Sequence, residues 1–158
     1  MLKNSIPPMT TKPRSIPAAL DRQLSANSPD DIPGVDAYVD RGATLVTPDA
    51  IAALQSLCTP LHKKIDALKE SGHLRRRLEL LAIYFEEAGS DGYKGTPAHC
   101  EAAFALLYFL KGFDRIPDSV PEVGLLDDAL VVQVVLQRQA TTLRAHWLRR
   151  RRVWPLEL

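Results

Sequence analysis

At 158 residues, with 46% hydrophobic and 25% charged positions, the chain has the size and composition of one ordinary globular domain. Its formal net charge of +1 excludes a protein that is basic overall, so attraction to nucleic acid or anionic lipid has to come from local clustering. Cys58 and Cys100 lie far apart and outside any CxxC pair, which excludes a zinc-finger pattern and suits a reducing, cytosolic setting with two buried thiols.

Residues 1–46 carry half of the prolines among polar residues and show no sustained apolar period, so they are expected to form a flexible arm. Ile32, Val35, Tyr38 and Val39 could dock on the body as a short turn, although Pro33-Gly34 argues against a long helix there. The opening residues also lack the basic, apolar and cleavage regions of a secretory signal, which points away from secretion. The helical body is placed at residues 47–158.

Thr47-Pro48-Asp49 predicts a helix start, with a capping hydroxyl, a proline suited to the first helical position and an acid at the positive end of the dipole. Ile51, Leu54, Cys58, Leu61, Ile65 and Leu68 form its apolar stripe, and Thr59-Pro60 is expected to divide or kink it. A further helix over residues 73–88 buries Leu74, Leu78, Leu81 and Phe85 and ends at Gly89. The glycine-rich loop that follows reads as a connector, since it lacks the lysine-serine/threonine pair of a phosphate-binding loop.

The fourth helix, about 97–111, is apolar nearly all round from Ala102 to Leu110, as expected of a central element. The fifth starts near Leu125 and runs toward Trp147, its first half core and its second half basic. The longest apolar stretches, Ala102–Leu110 and Ala129–Leu136, fall well short of the roughly 20 residues that span a bilayer, so no transmembrane helix is predicted. The expected fold is all-α, a compact bundle of about five helices with a flexible N-terminal arm.

Between the last two helices, Asp114-x-x-Pro117 is followed at once by Asp118-x-x-Pro121, then by Gly124 and by Asp127-Asp128. Each aspartate can accept from backbone amides just after it, each proline stiffens the turn, and the closing acid pair is expected in the first turn of the next helix. The stretch from Tyr108 to about Leu136 resembles the signature of the YkvA family, a bacterial helical domain of unknown function. The resemblance implies a small helical domain and marks Asp114, Pro117, Asp118, Pro121, Gly124, Asp127 and Asp128 as signature positions without catalytic roles. Arg115, Ser119 and Glu122 make this connector more polar than the usual pattern, which weighs against deep insertion of the loop into a bilayer.

Two functional readings follow. Arg144, Trp147, Arg149, Arg150, Arg151, Arg152 and Trp154 mix cationic and amphipathic aromatic groups, which suits an anionic membrane surface better than nucleic acid, for which no recognition fold is present. The preferred expectation is a non-catalytic, cytoplasmic interaction module without a cofactor, meeting a protein partner or the inner membrane face. The alternative is a metal-dependent hydrolase in which Asp114, Asp118, Asp127 and Asp128 hold a divalent cation, since hard cations favour converging carboxylates.

Overall fold

The computed structural model describes residues 34–68, 73–115 and 121–155, with side chains described at 34–68, 73–110 and 128–155. The described residues form seven helices and no strand: α1 Val35–Thr44, α2 Pro48–Ser56, α3 Cys58–Asp66, α4 His73–Ser90, α5 Pro97–Arg115, α6 Pro121–Arg138 and α7 Ala140–Arg149. The all-α expectation is met. The helix number is higher because the fifth expected helix is divided into α6 and α7 and one more lies in the stretch taken for an arm.

Helix α5 is the axis of the fold. Ala102 to Phe109 are all buried, and α1, α2, α3, α4 and α6 pack around it, so an element apolar on every side has a neighbour on every side. The short α7 closes the bundle against α4 and α6. Tyr38, Phe104 and Tyr108 meet edge-on or tilted, with ring centroids 5.6–6.3 Å apart, the favoured geometry for aromatic quadrupoles.

Helix α1 corrects the expected arm over residues 35–44. Tyr38 and Val39 are fully buried, and α1 lies against both α5 and α6. Pro33-Gly34 stands just before this helix, with Gly34 extended at its N-cap. The apolar face is only Val35, Tyr38, Val39 and Ala43, too short a stripe to outweigh the surrounding composition in a sequence reading. Tertiary packing supplies the stability that such a short helix lacks alone.

The start at Thr47 is as expected: its hydroxyl accepts from the Ala50 N–H at 3.2 Å, with Pro48 at the first helical position. The division of that helix falls at Leu57, ahead of Thr59-Pro60. Pro60 thereby sits in the first turn of α3, where a missing N–H costs no intrahelical bond. Cys58 and Cys100 are half-buried rather than buried.

Helix α4 continues through Gly89 to Ser90. This glycine therefore does not end α4, and a Cβ there would make an ordinary contact with His99 Nε2 at 3.4 Å. His99 ties the two helices together. It accepts at Nδ1 from the Gly95 N–H at 3.1 Å, so Nε2 carries the proton donated to the Phe85 carbonyl at 3.0 Å, and the ring stacks on Phe85. Burial holds its pKa below the usual histidine value.

Candidate functional site

The expected acidic site divides between described and undescribed residues. Helix α6 starts at Pro121 rather than near Leu125, so Gly124 lies inside the helix and Asp127-Asp128 stand about two turns in, past the first turn that dipole stabilisation reaches. Proline at the first helical position, followed by Glu122, explains the earlier start. Asp128 is only 4% exposed and is engaged by other groups. The side chains of Asp114, Pro121 and Asp127, and all of Pro117 and Asp118, lie outside the described residues. Among the described residues no group of three or more histidines, cysteines or acids is placed to hold a metal.

The expected basic site is fully described, and its arginines do not act as one patch. Helix α7 ends in a Schellman turn: Arg151 adopts φ 58°, its N–H donates to the Leu148 carbonyl at 2.9 Å, and the Arg152 N–H reaches back to the Trp147 carbonyl at 3.0 Å. The reversal sends neighbouring arginines in different directions. Arg152 grips Glu87 of α4 with both terminal nitrogens, Nη1 donating to Oε1 at 2.9 Å and Nη2 to Oε2. Arg150 Nη2 lies 2.8 Å from both oxygens of Asp91, and its Nε is 3.3 Å from Glu87. Arg149 lies over the Tyr93 ring at 4.7 Å, while Arg151 is exposed.

The tryptophans belong to this end of the fold as structural elements. Trp147 is 5% exposed and therefore core, which removes it from any surface-binding set. Trp154 is carried back against it, edge to face at 5.7 Å, and Arg144 covers the Trp154 ring at 5.6 Å. What stays exposed is aliphatic: Leu148 and Val153 are 76% and 89% exposed beside the arginine run.

Glu87 is the centre of this arrangement. Besides the arginines it meets the fully buried His146, whose Nε2 is 3.0 Å from Oε1. Arg149 can only donate, so His146 Nδ1 accepts from it at 3.3 Å and Nε2 carries the proton toward Glu87. Its hydrogen bond with Arg152 chiefly, reinforced by His146 and the charges of Arg152 and Arg150, lowers the Glu87 pKa from 4.5 to about 2 against the opposing effect of burial. A lowered carboxylate stabilises the fold above its unfolded pKa, and that stability is lost as pH falls from about 4.5 to about 2. After allowance for solvent around the arginines, the contribution is about 2 kcal/mol. Thermal melts from pH 6 down to pH 3 on the order of half-unit steps are expected to show this acid-sensitive component in the native chain and its loss in Glu87→Gln.

Glu87 and Asp91 were not visible as functional partners in the sequence, although two acids four residues apart at the end of one helix offer a counter-face to a basic one. A second ion cluster lies deeper. Arg138 makes a two-point contact with Glu101, Nε to Oε1 at 3.0 Å and Nη2 to Oε2 at 2.9 Å, and Nη2 also reaches Asp40 at 3.1 Å.

Other reactive groups are occupied. Burial first, and then Glu86 and Glu101 respectively, raise the pKa of Cys58 and Cys100, which keeps both as thiols. Lys64 is buried, with Nζ donating to the Phe109 carbonyl at 2.7 Å and lying over the Phe109 ring.

Together these features define a helical domain built on one buried central helix, with its acidic signature at one helix junction and a sorted arginine run at its C-terminal end. Residues 100–133, which span most of the central helix and most of α6, match the model of a family described as Protein of unknown function (DUF1232). No curated protein and no solved structure matches the chain.

Proposed function

We propose that the chain is a YkvA-like, non-catalytic interaction module that docks on the anionic, cytoplasmic face of a membrane through the end of α7. The observation that carries this reading is the exposure of Leu148 and Val153, 76% and 89%, beside cations that have no carboxylate partner among the described residues: Arg144, Arg149 and Arg151. Aliphatic side chains that enter the headgroup boundary, flanked by arginines worth about 1 kcal/mol each near an acidic surface, make a reversible peripheral anchor. No helix among the described residues is long and apolar enough to cross a membrane, so attachment of this kind is a surface event. The two histidines buried beside α4 support a binding role over acid–base chemistry, because both ring nitrogens of His99 and of His146 are engaged.

Flotation with phosphatidylserine-containing and pure phosphatidylcholine vesicles tests the reading. The native chain is expected to float only with the acidic vesicles, and Leu148→Ser with Val153→Ser, or Arg149→Gln with Arg151→Gln, to lower the bound fraction at least about fivefold, the second pair most at low salt. Equal flotation of these variants and the native chain, or none on either vesicle, overturns it.

A further inference from the structure

The described arginines differ in what they face. Arg138, Arg150 and Arg152 each face carboxylates, and Arg75 faces Asp66 and Glu79. Arg77 and Arg144 have no carboxylate partner among the described residues, and they line the same cleft. That cleft, about 330 Å³, opens between α4, α6 and α7, and its walls are Arg77, Gln133, Leu136, Gln137, Ala140, Arg144 and Trp154. No acid lines it.

Arg77 makes the cleft more than a surface depression. Its Nε is buried and has no hydrogen-bond partner, the one side-chain nitrogen or oxygen so placed among the described residues. An orphaned, desolvated N–H on a permanent cation is costly, and no described residue offers it an acceptor, so the charge of this guanidinium is left without compensation among the described groups. Arg144 is set in place over the Trp154 ring, and Gln133 and Gln137, one turn apart on α6, make no hydrogen bond among the described residues. Two guanidinium groups and two carboxamides therefore offer donors to one space, with Leu136 and Ala140 between them.

We infer that this cleft binds a phosphomonoester, with the Arg77 fork on two phosphate oxygens and Arg144 across from it. The guanidinium plane matches two oxygens of a phosphate, and a doubly charged anion neutralises two arginines that otherwise repel each other. The cleft has room for a small organic substituent on the ester oxygen. The phosphate can be that of a free metabolite or that of a monoester lipid headgroup. The inference stands apart from the membrane reading: the two share Arg144, but the cleft rests on Arg77, Gln133 and Gln137 and the membrane surface on Leu148, Val153, Arg149 and Arg151.

Intrinsic fluorescence of Trp154 and Trp147 reads the cleft directly. Titration with glycerol 3-phosphate, and separately flotation on phosphatidic acid vesicles, is to be carried out on the native chain, Arg77→Gln and Arg144→Gln, with thermal melts to establish that each variant is folded. The expected result is a saturable fluorescence change or selective flotation whose affinity falls about tenfold or more in each arginine variant. Saturation by the soluble ester assigns a free phosphomonoester, and response to the vesicles alone assigns the headgroup. Absence of both responses, or affinities unchanged in a folded Arg77→Gln or Arg144→Gln protein, overturns the inference. Loss of flotation in Leu148→Ser with Val153→Ser, while glycerol 3-phosphate still saturates, leaves the cleft standing and concerns the membrane surface alone.

Discussion

Gly42→Ala is expected to destabilise the protein by about 3 kcal/mol. The Cβ it adds would fall 2.3 Å from Cε1 and Cζ of Phe104, a ring with no exposed surface on the central helix. Neither side can give way cheaply, because Phe104 is wedged between Tyr38 and Tyr108. The sign of the effect is decisive. In a solvated arm, or on an exposed helix, alanine in place of glycine is neutral or stabilising by up to about 1 kcal/mol. Urea denaturation of Gly42→Ala therefore tests whether residues 35–44 belong to the packed body. Trimming the ring in Gly42→Ala/Phe104→Leu should restore part of the loss, so that the double variant is less destabilised than the sum of the two single ones, whereas independent lesions would simply add. A Gly42→Ala protein as stable as the native chain would mean that α1 does not lie on α5.

Arg138→Ala is expected to cost about 3–5 kcal/mol, more than either acidic partner's exposure alone would suggest. The Glu101 side chain is 5% exposed, so removing its two-point partner leaves a desolvated carboxylate without a counter-ion. The Glu101 and Asp40 carboxylates raise the Arg138 pKa, against the opposing effect of burial, so the charge is present at any accessible pH. Asp40, whose side chain is 67% exposed, contributes far less, and Asp40→Asn should fall below about 1 kcal/mol. Replacing both members of the buried pair, as Glu101→Leu/Arg138→Met, should recover most of the stability lost in Arg138→Ala. Equal stabilities of Arg138→Ala and Asp40→Asn in denaturant would show that the buried pair is not formed.

The helices whose signals are local were readable from the chain. Thr47-Pro48 announces a cap, and the unbroken apolar run at Ala102–Leu110 announces a central helix, because each depends on adjacent residues. What escaped the sequence depends on residues far apart. The helix at 35–44 is held by Phe104 and by α6, and the fate of the arginine run is decided by Glu87 on α4 and Asp91 just past its end. Composition near Arg149–Arg152 suggested one cationic patch with two tryptophans at its edge. The αL turn at Arg151 separates those arginines, and burial of Trp147 leaves Leu148 and Val153 as the exposed apolar groups instead. The acidic signature gave a resemblance to a family, and the described residues place only Asp128 of its aspartate side chains, in the protein interior.

The clasp between α1 and α6 has a kinetic side. Asp40 and Arg138 are separated by 98 positions, and α1 packs against both α5 and α6, elements far from it in the sequence. Such closure gains little until the intervening chain is ordered, so it belongs late on the route to the native state. Damage to it then accelerates escape from the folded form and leaves the rate of reaching that form nearly untouched. Weakening this one docked helix near the beginning of the sequence is therefore expected to shorten the lifetime of the folded chain more than it slows assembly.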